Sequence, residues 1–236
     1  MRGLLEQGLG ELGITPPDRA VDRLEAYGRM LLEQNQVMNL TAITEPDQVA
    51  RLHFLDSAAL LGCMGEAAGA SLIDVGTGAG FPGVVLKILC PELRLTLADS
   101  LGKRLDWLGT VCRALGLEGV EIVHCRAEEQ GLKAGYRDGF DFATARAVAD
   151  LRVLCELCLP FVRPGGRFLA MKAAGCEEEV SAAANAVQVL GGKLLPACRY
   201  TIPGAGVERR VVVVEKTAPT PKGYPRRWAK IQKAGL

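Results

Sequence analysis

Several groups along this chain have the residue types and spacing to hold a nucleotide and act on it. The first is Asp74-Val-Gly-Thr-Gly-Ala-Gly-Phe-Pro-Gly83, an acid near the end of a short apolar run followed by closely spaced glycines. Glycine reaches positive φ and lets backbone approach a ligand, and a helix beginning just beyond offers N–H groups without internal partners. The second is Asp99, with Ser100 after it, at the end of another apolar run. A carboxylate there can accept from both hydroxyls of a ribose in charge-assisted hydrogen bonds. The third is Arg126-Ala-Glu128, after another strand-like run, whose backbone N–H groups at Ala127 and Glu128 can meet a bound ligand, with Phe81 or another apolar side chain packing nearby. The last are two cations that end apolar runs, Arg146 and Lys172. A guanidinium offers a planar fork of donors suited to carboxylate, phosphate or carbonyl oxygens.

Such residues meet only if successive strand ends share one edge of a sheet. From residue 71 the pattern alternates accordingly, with strands expected at 71–75, 94–99, 119–124, 140–145 and 166–171 and helices near 82–90, 101–115, 148–161 and 176–190. This predicts an α/β fold with a mostly parallel sheet and right-handed crossovers, in which ligands bind beyond the carboxyl ends of the strands. The run 194–202 and the β-branched Val211-Val-Val-Val214, joined through Pro203-Gly-Ala-Gly206, predict a C-terminal hairpin with one strand antiparallel to the rest. Residues 1–70 read as helices that pack on this domain, and 217–236, with three prolines, as an irregular basic tail. The expected division is therefore 1–70, 71–216 and 217–236.

Two nucleotides compete for the glycine turn. Gly78-Ala-Gly-Phe-Pro-Gly83 spells G-x-G-x-x-G, the dinucleotide fingerprint, with Asp99 near the distance of a ribose-binding acid, and so admits a NAD-linked oxidoreductase. The strand, however, ends at Val75, so the turn begins at Gly76, and from there the third fingerprint position is Phe81. In that register Asp74-Val-Gly-Thr-Gly-Ala-Gly80 resembles the first motif of class I methyltransferases, an acid followed by G-x-G-x-G. S-adenosylmethionine (SAM) has no pyrophosphate. Its amino-acid end needs close backbone approach, at Gly76 and Gly78, and an acid for its ammonium; its ribose needs a carboxylate such as Asp99. Asp74 either organises the turn or serves the ammonium. Three further positions favour SAM: Arg126-Ala-Glu128 stands where methyltransferases read the adenine edge, so that the N–H groups of Ala127 and Glu128 are expected to face that ring; Arg146 points into the crevice; and Arg163-Pro-Gly-Gly-Arg-Phe-Leu-Ala-Met-Lys172 resembles the turn and fifth strand of that fold.

A closer resemblance runs along nearly the whole chain. Its residues are Asn39-Leu-Thr-Ala-Ile43, His53-Phe-Leu-Asp-Ser57, the glycine turn, Asp99-Ser-Leu-Gly-Lys-Arg104, Arg126-Ala-Glu128, Ala145-Arg-Ala147, Met171-Lys172 and Thr220-Pro-Lys-Gly-Tyr-Pro-Arg-Arg227. Together these resemble the RsmG family (formerly glucose-inhibited division protein B), the bacterial 16S rRNA guanine-N7 methyltransferases. Two positions depart from the family pattern. Ala145 stands where Ser is usual before the arginine, and Trp228-Ala-Lys-Ile231 replaces the common glycine- and proline-containing ending. The resemblance implies a class I, Rossmann-like methyltransferase domain over 71–216 and SAM as cofactor. It implies N7 of a guanine as methyl acceptor, and 16S rRNA or the small ribosomal subunit as partner.

That chemistry makes modest demands. Guanine N7 carries an in-plane lone pair and no proton, so it attacks a methyl group without a general base. The chain has neither the Asn-Pro-Pro-Tyr used on exocyclic amines nor a Pro-Cys nucleophile for cytosine carbon. Catalysis is then mainly positioning, worth roughly 7–11 kcal/mol at its best. Arg146 is the candidate catalytic residue, reaching SAM, guanine O6 or phosphate, against the alternative of an ion pair with Asp141 or Asp150. Arg126 and Lys172 are candidates for RNA phosphate, as are Lys222, Arg226 and Arg227, which stand with Tyr224 and Trp228 in a pattern suited to an RNA strand. Deleting 217–236 is expected to weaken RNA binding and leave SAM binding intact. His53 reads as a core or capping histidine with a substrate-side role open, and Asp56 as a local cap or pair. A non-catalytic RNA-binding protein that senses SAM is a further reading.

Composition bounds the rest. Residues 199–236 hold nine lysines and arginines against two glutamates, a net +7 that leaves −6 on the remainder of a chain totalling +1. A basic end of this kind suits a polyanionic partner. Eight scattered cysteines sit mostly in apolar contexts and read as buried thiols, including Cys155-Glu-Leu-Cys158, and with two histidines in all no metal site is expected. No apolar run has the length of a membrane span and no signal pattern opens the chain, so a cytoplasmic protein is expected, with no obligate protein partner evident.

Overall fold

The computed structural model describes all residues 1–236. Five strands alternate with helices: β1 (Ser71–Val75), β2 (Arg94–Asp99), β3 (Val120–His124), β4 (Phe140–Arg146) and β5 (Val162–Ala173). They pair in parallel, with β1 flanked by β2 on one side and β4 on the other. β1 is thus where the strand order reverses, the position at which open α/β sheets hold ligands. β8 (Val207–Lys216) runs antiparallel beside β5, and two short strands, β6 (Gly192–Leu194) and β7 (Cys198–Ile202), both pair with its far edge. The expected hairpin is therefore present with its outer strand interrupted. Pro196 lies in the interruption, where it donates no ladder hydrogen bond. The sheet order is β3-β2-β1-β4-β5-β8-β6.

Strand side chains alternate between two cores, as a period of two requires. Leu72, Leu97, Phe142, Leu169, Val211 and Val213 face one core; Ile73, Ala98, Ala143, Phe168, Val212 and Val214 face the other. The first core is shared with the N-terminal helices Arg2–Glu11 and Ala20–Met38, which bury Leu5, Leu9, Leu24, Tyr27 and Leu31 in it. A helical run over 46–58 follows, and its middle, Ala50–Leu55, is wound as a π-helix, a form that concentrates at functional sites.

Three stretches differ from expectation. The helix expected from 148 begins at Leu151, where the Asp150 carboxylate accepts from the Val153 N–H; residues 147–149 form a loop instead. β5 extends to both sides of 166–171, with a register shift between Phe140 and Phe142 of its neighbour. The tail is ordered against the domain: it ends in a helix, Trp228–Lys233, whose Ile231 is buried in the second core. Composition had made the tail look irregular because its anchoring partners lie some eighty residues earlier, as Arg137 and Asp138 do.

Candidate functional site

The glycine turn leaves β1 directly, with Gly76, Gly78 and Gly80 all at positive φ (70°, 59° and 91°). Asp74 is fully buried and organises it: Oδ2 accepts from the Thr77 hydroxyl (2.7 Å) and from the Gly83 N–H (2.9 Å) at the start of helix Gly83–Leu89. Burial raises its carboxyl to about 6, against the lowering effect of those two donors. Oδ1 is buried without a partner. The turn is buttressed from the N-terminal helices, where the Tyr27 hydroxyl donates to the Ala79 carbonyl. A Cβ at Gly80 would come within 2.6 Å of that hydroxyl, so the close packing itself requires glycine there.

A cleft of about 140 Å³ opens beyond the strand ends, lined among others by Gly76, Asp99, Ser100, Ala127, Glu128 and Trp228. Each carboxylate oxygen of Asp99 accepts one backbone N–H, Oδ2 from Gly78 and Oδ1 from Leu101, both at 2.9 Å. Each keeps a second acceptor position. Ala127 and Glu128 open a short helix whose first N–H groups have no partner within it. These groups fit SAM: a ribose carboxylate, a glycine turn open at Gly78 with Val148 packed against Gly76, an unpartnered buried oxygen on Asp74, and unpaired N–H groups at the adenine end. Phe81 is elsewhere. Its ring stacks on His53 (centroids 4.5 Å apart, planes 14° apart) with the Arg146 guanidinium 4.9 Å from its centroid. The larger apolar groups on the cleft are Trp228, which packs on Arg126, Leu157, and Val148, which lies against Gly76.

Arg146, at the carboxyl end of β4, reaches the N-terminal π-helix rather than Asp141 or Asp150. It donates to Asp56 (3.1 Å), to the Leu52 carbonyl (3.3 Å) and to Nδ1 of His53 (3.0 Å). Asp141 is occupied by Ser71 and Arg163, and Asp150 caps its helix. Since a guanidinium only donates, Nδ1 of His53 accepts and its proton sits on Nε2, which donates to the Thr41 hydroxyl at 2.7 Å. Burial, and then the Arg146 charge, push the imidazole down to about 3, so His53 is neutral near pH 7. Asp56 is 4% exposed and also accepts from the Tyr200 hydroxyl (2.8 Å), with Arg209 3.5 Å away. These groups border a second, more open basin of about 450 Å³ that also includes Lys172 and Met171.

Thr41, Tyr200 and Arg209 were not legible as site residues. Thr41 and Asp56 lie inside the quoted motifs Asn39–Ile43 and His53–Ser57, which was the available signal; Tyr200 and Arg209 carried none beyond charge and chain end.

The expected RNA contacts divide. Lys222 and Arg227 are exposed and form no ion pair. Lys172 donates to Glu179 and the Ala149 carbonyl, and Arg126 to Glu128 at 3.0 Å. Arg226 is committed inward: its N–H, Nε and Nη2 donate to Glu156 at 2.8, 2.8 and 2.6 Å, and that carboxylate is fully buried. Arg226 thus anchors the tail instead of meeting phosphate. Because Trp228 lines the nucleotide cleft, the expectation that deleting 217–236 spares SAM binding is also revised.

The family described as GidB, rRNA small subunit methyltransferase G, matches residues 20–201. A protein named "Ribosomal RNA small subunit methyltransferase G" from Alkaliphilus metalliredigens is 46% identical over 224 residues, covering 95% of this chain and 94% of its own. The protein of that name from Symbiobacterium thermophilum is 47% identical over 231 residues, covering 96% and 94%. Among solved structures, a SAM-dependent O-methyltransferase from Thermotoga maritima superposes with a TM-score of 0.53 at 17% identity, covering 81% of this chain and 73% of that one; this likeness shows the fold alone.

Proposed function

The chain belongs to the rRNA small subunit methyltransferase G family, a family of SAM-dependent enzymes, and from that premise we propose that it methylates N7 of a guanine in 16S rRNA. The observation that carries the site assignment is Arg146. It borders the open basin at the carboxyl end of β4, the strand beside β1 and its glycine turn, and is held by Leu52 and His53 of the π-helix and by Asp56 just after it.

Asp99 takes the ribose hydroxyls and the N–H groups of Ala127 and Glu128 the adenine edge, with Ser100 beside them. Gly76 and Gly78 accept the amino-acid end. Phe81, buried against His53 and Arg146, backs those two side chains and does not touch the cofactor. When bound, the cofactor supplies an activated methyl on a positively charged sulfur. Arg146 orients the guanine through O6 or a phosphate. Its pairing with Asp56 leaves the pair neutral overall, which suits a reaction that moves positive charge onto the base. His53 moves no proton: already depressed to about 3, it is a fixed acceptor that aims Arg146. The protein's contribution is positioning in a site with little freedom to reorganise.

RNA approaches over the basin, where Lys172 is reachable once Glu179 yields, and the exposed Lys222 and Arg227 offer further phosphate contacts from the C-terminal segment outside it. The test is methyl transfer. With labelled SAM and small subunits from cells lacking this activity, label is expected in one guanine of 16S rRNA, identified as 7-methylguanine by mass spectrometry. Label on another base or ring atom, or none with SAM shown to bind, refutes the assignment. A thermal-shift comparison that favours NAD over SAM would revive the dinucleotide reading.

A further inference from the structure

The nucleotide cleft has one wall that comes from the far end of the chain. Trp228 is the only aromatic side chain on it; the other apolar groups, Val75, Val148 and Leu157 among them, are aliphatic. The Arg126 guanidinium lies 5.0 Å from the indole centroid, a cation–π contact, and Arg126 in turn donates to Glu128. The indole is therefore tied to the Arg126-Ala-Glu128 turn that faces the adenine.

Its position is fixed by the whole segment before it. Lys216, fully buried, donates to Asp138 (2.9 Å), to the Leu159 carbonyl (2.7 Å) and to the Thr220 hydroxyl (2.6 Å). Arg137 donates to the carbonyls of Thr220, Pro221 and Tyr224. Arg226 grips Glu156 on helix Leu151–Cys158, the helix whose Leu157 also lines the cleft. Beyond Trp228, Ile231 is 1% exposed. The segment thus presents an indole inward and the cations Lys222, Arg227, Lys230 and Lys233 outward. Trp228 also belongs to the stretch where this chain departs from its family's usual ending.

We propose that Trp228 is a cofactor-binding residue that closes the adenine end of the SAM cleft, so that docking of segment 217–236 and SAM binding are one linked equilibrium. The proposal rests on the SAM reading of the cleft. A purine is a flat apolar ring with a polar edge. The turn at Ala127 and Glu128 offers donors for the edge, and the indole is the only large flat surface available to the ring. Linkage is reciprocal: occupancy of the cleft holds the tail down, and with it the outward cations, so the loaded enzyme binds RNA more tightly than the empty one.

The full-length chain with Trp228→Ala and Trp228→Phe is titrated calorimetrically with SAM and with 5′-methylthioadenosine, which lacks the amino-acid arm. Trp228→Ala should bind both about 10-fold more weakly, within the range that base–aromatic stacking is worth, and Trp228→Phe should recover most of the loss. An equal loss for the two ligands places the contact at the adenine end; a loss confined to SAM overturns that placement. A second readout keeps a folding defect apart. Trp107, the other tryptophan, is 7% exposed and lies beside the Tyr27 ring in the first core, off the cleft. In a Trp107→Phe background the emission of Trp228 alone should change on saturation with SAM, and unchanged emission overturns the proposal. Trp228→Ala with wild-type SAM affinity but weakened RNA binding also overturns it, in favour of an RNA-stacking role. A wild-type chain that fails to bind SAM would remove the cofactor reading itself, and this proposal with it.

Discussion

Truncating Arg226 to alanine separates an anchor from an RNA contact. The variant keeps the backbone N–H bond to Glu156 but loses the two side-chain bonds to that carboxylate, at 2.8 and 2.6 Å, and the Nη2 bond to the Ala234 carbonyl. Hydrogen bonds to charged groups contribute about 1.5–3 kcal/mol each, so the loss of the two to the carboxylate is worth about 3–6 kcal/mol. Leaving a buried charge without its partner costs about 3–5 kcal/mol by a separate route. The cost has a ceiling. Once it exceeds the docking free energy of 217–236, the tail releases and water reaches Glu156. The expected result is therefore either a loss of about 3–5 kcal/mol in urea unfolding, or a smaller loss with a lowered midpoint and new protease sensitivity after Lys216. Arg227, the neighbouring exposed cation, serves as control. Arg227→Ala should stay within about 0.5 kcal/mol of wild type while weakening RNA binding. Arg226→Ala with wild-type stability and an intact tail, but reduced RNA affinity, would refute the anchoring role.

Three further outcomes are expected. Arg146→Ala should abolish methyl transfer yet fold, because Asp56 keeps Tyr200 and Arg209 as partners; full activity would show the site is misplaced. The imidazole of His53, at 6.5 in a free side chain and about 3 here, contributes stability that is present above pH 6.5 and lost as pH falls towards 3. His53→Gln should flatten that loss relative to wild type in acid unfolding, and an unchanged slope would remove the claim; Asp74, raised to about 6 from 3.8, acts with the opposite sign, which is why the comparison is made between variants. Lys222→Ala with Arg227→Ala should reduce the steepness of the log–log salt dependence of RNA binding by about 1.4, at about 0.7 per single-strand phosphate contact; an unchanged slope would show that neither residue meets phosphate.

The methyltransferase architecture was legible because it is written locally. A strand, its glycine turn and the following helix are adjacent in sequence, and short apolar runs such as Leu72–Ile73 and Phe168–Met171, alternating with helical patterns, announce a parallel sheet covered on both faces. Gly76, Asp99 and Arg146 could be placed at one edge of the sheet from that pattern, since parallel strands put their carboxyl ends there, and Ala127 with the help of the methyltransferase resemblance; the fold then divides them, with Gly76, Asp99 and Ala127 on the nucleotide cleft and Arg146 on the open basin. What those side chains touch was decided by packing between distant segments. Arg146 finds Asp56 rather than Asp141 or Asp150 because the N-terminal helices cover that face of the sheet and a π-helix there turns His53, Asp56 and a carbonyl towards it. Arg226 and Trp228 have the composition of an RNA-binding tail, yet a fully buried Glu156 captures the first and the nucleotide cleft receives the second. Charge and aromaticity are properties of single residues and can be read along a chain. Whether a charge faces water or a buried carboxylate depends on contacts across seventy residues, which only the folded chain brings together.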